Sequence, residues 1–351
     1  MATSPNYGWA EPDNSSLVKN GAQDIRALGD AIDTSLWNVG FGQAGKNKII
    51  NGDFGIWQRG TSLSLSGVTG ILADRWFVYG VSGDSVSQQT FTPGTAPVAG
   101  YESQYFHRFV NGATASSRFL YTKIEDVRTF AGNTVTLSFW AKTASGTATV
   151  TSNIGNQNFG TGGSSFVAGS SQNNSVTTTW TRFTQTATVA SVSGKTIGAG
   201  SNVEASFQWA NTNVSIDIWG VQLEYGSKAT PFETATGTIQ GELAACQRYL
   251  PSIITTGSQD IVIGYSQSTN NAVYQIPFTV PARVAPTGMT LIGSFSGYAL
   301  NTAYSITPVF NVASPYGASI VSGSGMTITA GQGSRLSSSG VASILFTGCE
   351  L

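Results

Sequence analysis

The stretch TVTLSFWAKT, residues 134–143, decides how the chain is read. Val135, Leu137, Phe139 and Ala141 alternate with Thr136, Ser138, Trp140 and Lys142. A period of two is the pattern of a strand with one face on a core and the other turned away from it. β-branched and aromatic residues suit that pleated surface. On this reading Trp140 and Lys142 share the face away from the core.

Working outward, similar short runs recur between Gly, Asn and Ser breaks. Upstream stand DRWFVYGV (74–81), SVSQQTF (85–91), QYFHRFV (104–110) and SRFLYTKIED (117–126). Downstream stand SVTTTWTRFTQTATV (175–189), read as one strand, VEASFQWA (203–210) and NVSIDIWGVQLEYG (213–226). The last is apolar on both faces in places, which predicts a central strand. Eight or more short strands with turns between them predict a β-sandwich of jelly-roll type over residues 46–236. If Leu120 and Ile124 face its core, Tyr121 and Lys123 face out. In 175–189, Trp180 and Arg182 share one side and Phe183 takes the other, and either side suits the core.

Two further regions flank the sandwich. Residues 1–45 contain PDNSSLVKNGAQDIRALGDAIDTSLW (12–37), which reads as one helix capped by Asn14 or Ser15. Val18, Ile25, Leu28, Ile32 and Leu36 lie along its apolar stripe, with nothing in the segment to cover it. Such a stripe predicts attachment to another protein or to further copies of the chain. Residues 237–351 open with TIQGELAACQRYLP, a short helix stopped by Pro251. Strand-like runs follow: DIVIGYS, AVYQIPFTV, MTLIGSF, YSITPVF, MTITA and VASILFTG. The fold class is therefore mainly β: an N-terminal helix, a sandwich, a short helix and a second all-β domain.

Composition excludes several functions. Net charge is −1 with 10% charged residues, against roughly 25% in an average domain, so no basic stripe invites nucleic acid. No apolar run reaches the roughly 18 residues of a membrane span, and the opening lacks the features of a secretory signal. Cys246 and Cys349 fit no metal spacing and read as free thiols, with a bridge between them the alternative. His107 is the one histidine, which argues against a Ser-His-Asp triad, and no hydrolase or nucleotide motif is present. Between Val127 and Val203 no Asp or Glu occurs, which leaves little for a two-carboxylate glycosidase. The expectation is a binding protein that is not an enzyme, with a polysaccharide depolymerase as the remote alternative.

Sugars are gripped by aromatic faces flanked by polar groups. The outward candidates are Trp140, Lys142, Tyr121, Lys123, Trp180 and Arg182. Packing against a second layer or a partner subunit is the alternative reading of the same aromatics, and the weightier one. INGDFGIWQRG (50–60) and ADRWFVYG (73–80) concentrate rare charges beside tryptophans. Ile50, Phe54, Trp57 and Trp76 read as sandwich core, and Arg59, Asp74 and Arg75 as polar anchors that pin the first strands.

Taken in order, KIINGDFGIWQRGTS, ADRWFVYG, LSFWAK, IWGVQLEYGSKATPFE, ELAACQRYL and PARVAPT resemble tail-fibre and related receptor-binding proteins of bacteriophages, particularly those of marine and cyanobacterial phages. The opening 33 residues resemble the N-terminal segment of such proteins. The resemblance covers roughly residues 1–290. It implies a virion protein made in a bacterial cytoplasm, usually a homotrimer, mounted on another virion protein through its N-terminus. Its middle domain would bind a host cell-surface glycan, and its C-terminal domain would form the distal tip. A purely structural head fibre, decoration or baseplate connector is the alternative. No cofactor is required. The resemblance also implies a structural calcium ion near the first and last sandwich strands, where Asn51, Asp53 and Asp217 stand, although Asn51 and Asp53 equally suit a plain turn.

Overall fold

The computed structural model describes residues 2–4, 9–11, 20–39, 45–98, 101–112, 115, 117–210, 214–300, 302–323 and 325–351. At the N-terminus β1 (Ala2–Thr3) pairs with β2 (Ala10–Glu11), and α1 (Gly21–Val39) follows. Ile25 is 66% exposed on that helix, whereas Leu28 and Ile32 are half-buried. Val18 and the side chain of Leu36 lie outside the described residues, as do both expected caps.

Among the described residues the sandwich is built from twelve strands: β3 (Ser62–Ser64), β4 (Thr69–Ile71), β5 (Trp76–Tyr79), β6 (Ser85–Thr90), β7 (Tyr105–Val110), β8 (Arg118–Glu125), β9 (Thr134–Thr143), β10 (Ala148–Asn158), β11 (Ser170–Val176), β12 (Thr181–Thr188), β13 (Asn202–Trp209) and β14 (Ile216–Tyr225). One antiparallel sheet has the order β11-β10-β13-β8-β5-β4, the other β12-β9-β14-β7-β6-β3. From β8 to β14 the chain alternates between the two sheets, apart from the β10–β11 hairpin. The hydrophobic core lies between them. Phe139 packs against Phe183 at 5.5 Å and Phe207 at 4.6 Å, and Trp76 against Phe54 at 4.9 Å. Each fully buried Phe, Leu or Val contributes about 1.5–3 kcal/mol of transfer free energy.

Three expectations for the sandwich are corrected. Residues 175–189 are not one strand: β11 ends at Val176, 177–180 turn a corner, and β12 joins the other sheet. Ile50 is half-buried and Ile49 fills the core in its place. The cause is a shift of alternation, because Lys48 N donates to Leu223 O and sets Ile49 inward. Trp57 is half-buried and packs on the edge of the core. β14 is central in its sheet, as its apolar faces predict.

α2 (Ile239–Gln247) starts where Thr238 Oγ1 accepts from Gly241 N at 3.1 Å. It leads into the second β domain: β15 (Ser252–Thr256), β16 (Asp260–Ser266), β17 (Ala272–Pro277), β18 (Gly288–Ile292), β19 (Phe295–Ala299), β20 (Thr302–Ile306), β21 (Val309–Ser314), β22 (Gly317–Val321), β23 (Gly333–Ser338) and β24 (Val341–Thr347). Their sheets are β15-β24-β18 and β20-β19-β23-β16-β17-β22-β21, sharing a second core around Tyr274, Leu336 and Phe346. MTITA (326–330) forms no strand; Met326 and Ile328 are buried in that core from a loop. Among the described residues no helix is long and apolar enough to cross a membrane.

A polar clamp joins the two β domains. Glu350 accepts from Arg59 at 2.7 Å and from Arg75 at 3.0 Å. Lys123 Nζ donates to the Leu351 carbonyl at 2.8 Å, and Arg283 donates to the carbonyls of Cys349 and Glu350. Arg75 also lies 3.5 Å over the Tyr249 ring. Arg59, Asp74 and Arg75 are anchors, as expected, but the arginines hold the C-terminus rather than only the first strands. Cys246 and Cys349 are both free and buried.

Candidate functional site

The alternation of β9 places Trp140 and Lys142 on the outer face of its sheet, and strand register assembles their neighbours. Arg182, Trp140 and Trp219 stand opposite one another across β12, β9 and β14. One step along, Lys142, Asp217 and Arg108 are opposite one another across β9, β14 and β7. Trp180 extends this second row just before β12 begins.

The two rows differ in cover. Phe91, Tyr101 and Phe232, from the loops outside the sheet, pack on Trp219 at 5.9, 5.7 and 5.0 Å. Trp219 is fully buried and Trp140 is 8% exposed. Arg182 lies 4.7 Å over the Trp140 ring and donates to Ser138 Oγ and to the Thr230 carbonyl. Burial pushes its guanidinium below the ordinary value, with Glu224 opposing. This first row is a roofed aromatic layer.

The second row is less covered. Trp180, Lys142 and Arg108 are half-buried, Trp180 packs on Phe91 at 5.6 Å along one side, and Lys142 Nζ stands 5.3 Å from the Trp180 ring centre. Phe106 meets Trp180 edge-on at 5.4 Å and fixes its plane. Arg108 grips the buried Asp217 with two bonds of 2.7 and 2.8 Å, and this pairing raises its own pKa. Lys142 reaches the same carboxylate at 3.9 Å. The row therefore offers an aromatic plate, a cation with donors to spare and a fixed ion pair. It can stack on C–H faces and hydrogen-bond hydroxyl groups.

Four of the six expected residues are thus on one face, with Trp180 and Lys142 partly exposed and Trp140 and Arg182 packed. Tyr121 and Lys123 do not join them. They are on β8 in the opposite sheet, where Tyr121 stacks on Phe77 at 5.1 Å and Lys123 binds the C-terminus. Sequence reading missed Phe106 and Arg108; their alternation with the core residue Phe109 was the available signal for Arg108.

The proposed calcium ligands do not fit an ion. Asn51 is fully buried: its Oδ1 accepts from Ile56 N and its Nδ2 donates to the carbonyls of Ile56 and Asp74. Asp217 is occupied by Arg108. Asp53 accepts from Gly55 N and from Tyr101, in a cleft beside Glu242, and burial raises its pKa to about 6. Among the described residues no group of three or more His, Cys, Asp or Glu side chains could hold a metal. His107 is buried with its ring stacked on Trp57 at 6.0 Å, and burial lowers its pKa to about 3.

No family model and no curated protein matches the chain. Solved structures that resemble it include a putative sugar binding protein from Bacteroides thetaiotaomicron, 14% identical, covering 51% of this chain and 100% of that one at a TM-score of 0.35. A family 11 carbohydrate-binding module from Clostridium thermocellum, in complex with a β-1,3-1,4-mixed-linked tetrasaccharide, is 14% identical and covers 48% and 98% at 0.30. The enzymatically active domain of tailspike protein 4 from bacteriophage CBA120 is 17% identical and covers 52% of this chain and 22% of that one at 0.32.

Proposed function

We propose that the protein is a tail-fibre-type virion protein that attaches the particle to a glycan on the host surface, through the outer face of the sandwich. The observation that carries this is the partly exposed row Trp180–Lys142–Asp217–Arg108, an aromatic plate beside the Lys142 ammonium. It is a binding role and not a catalytic one, and it needs no cofactor. The exposed Ile25 on α1 supports attachment through the N-terminal segment, either to another virion protein or in a homotrimer.

The test is adsorption. Purified protein should stain host cells and block phage adsorption, and Trp180→Ala with Lys142→Ala should weaken staining about tenfold or more without unfolding the chain. Equal staining by the variant would overturn the assignment of this face. One observation favours a purely structural virion component: Trp140 and Trp219, two of the three tryptophans on the face, are buried under their own loops. Absence of both staining and adsorption block would favour that reading.

A further inference from the structure

The seven-stranded sheet of the second β domain carries a groove of about 610 Å³ on its outer face. Ligand sites usually span about 300–1,000 Å³. Register builds it: Tyr265 is opposite Val273, and Gln275 is opposite Ser319, which is opposite Val312. On the same strands Tyr274 and Ile320 point into the core, so Val273, Gln275 and Ser319, which alternate with them, point the other way. Val273 and Ser319 are buried and form its floor. Its walls are Tyr265, 50% exposed, and Tyr316, 72% exposed at the turn between β21 and β22.

Two large rings held open to solvent on either side of a concave floor are the mark of a ligand groove or an interaction site. The polar lining narrows what that is. The side-chain amides of Gln267 and Gln275 make no hydrogen bond within the described protein, and Asn311 uses only its Nδ2, toward Ser319 Oγ at 3.3 Å. A one-residue bulge in β21 between Phe310 and Val312 brings Asn311 to the groove. Among the described residues no Asp, Glu, Lys, Arg or His lines it. An anionic ligand would meet no cation there, and a metal would meet no carboxylate. Amides that both donate and accept match hydroxyl groups, which do the same. Exposed ring faces match the C–H patches of sugar rings.

We propose that this groove is a binding site for a neutral oligosaccharide, with Tyr265 and Tyr316 stacking on sugar rings and Gln267, Gln275 and Asn311 bonding their hydroxyls. It shares no residue with the row on the sandwich and does not depend on that row binding anything.

The test is electrophoresis of the full chain in native gels containing dextran, mannan, galactan or β-1,3-glucan, with polygalacturonate as the anionic comparison. At least one neutral polymer should retard the protein. Tyr265→Ala with Tyr316→Ala should raise the Kd for that polymer at least about tenfold, with an unchanged unfolding temperature because both rings are exposed. Gln275→Ala, at an exposed position, should weaken binding in the same direction. Failure of all four neutral polymers, or undiminished retardation of the tyrosine variant, overturns the proposal. Retardation lost only in Trp180→Ala with Lys142→Ala would leave the sandwich face standing and sink the groove. Loss of self-association in the tyrosine variant with retardation unchanged would make the groove an interface between copies.

Discussion

Asp74 is 1% exposed and is held by Gln58 and by Arg59 at 3.4 Å. Burial is the largest influence on its carboxyl and, against the opposing Arg59 and Gln58, raises its pKa to about 7. Unfolded, the same carboxyl ionises near 3.8. Between those values the folded chain binds the proton more tightly, so this group lowers stability as pH rises from about 4 to about 7. The slope is at most about 1.4 kcal/mol per pH unit for one proton. Asp74→Asn removes the titration and is expected to flatten the profile of unfolding temperature across that window. An unchanged slope would mean that the carboxylate is ionised throughout. The rarity of charge in the sequence marks Asp74 and Arg75 as anchors. Their partners, Gln58 next to Leu250 and Glu350 at the far end of the chain, are set by chain return and carry no sequence pattern.

Among the elements, β14 shapes the candidate face. Its register against β9 shifts between Trp219 and Gln222, a bulge that lets Trp219 and Gln222 both face outward while Val221 stays in the core. Gly220 makes the bulge at φ +63°, where a Cβ would stand 2.9 Å from the Trp140 ring. Gly220→Ala is expected to cost about 1–3 kcal/mol and to shift the tryptophan fluorescence of the Trp140–Trp219 layer. Denaturant titration read by intrinsic fluorescence measures both. A fluorescence spectrum and midpoint matching the parent would show that the layer yields without strain. β9 is readable from alternation alone because each of its two faces has one environment. The 175–189 run is not, because its alternation continues through a corner at which the strand changes sheets.

For the whole molecule, the C-terminal clamp predicts coupled unfolding of the two β domains. Glu350 takes one bond each from Arg59 and Arg75, whose side chains are 16% and 2% exposed. Glu350→Ala leaves both guanidinium groups facing each other without their shared anion. Breaking one member of a buried ion pair costs about 3–5 kcal/mol, and the partial exposure here argues for the lower end. Calorimetry is expected to show the parent melting in one transition and the variant in two. Two transitions already in the parent would show that the domains do not depend on the clamp.

The sequence by itself determined the class of the protein: a mainly β chain with a sandwich in its middle, a short helix ending before Pro251 and a charge-poor second β domain. Those follow from period, turn residues and composition, which act over a few neighbours at a time. It also placed Trp140, Lys142 and Tyr121 on faces away from the core. Only the tertiary structure decided that Trp180 and Lys142 meet Asp217 and Arg108 on one sheet while Tyr121 and Lys123 lie on the other. It alone showed Asn51 spent inside the fold, Glu350 gripped by two arginines and Tyr265 sharing a groove with Tyr316. Alternation states which way a side chain points within its strand. Which strands become neighbours, and in what register, is set by long-range pairing that no short stretch records.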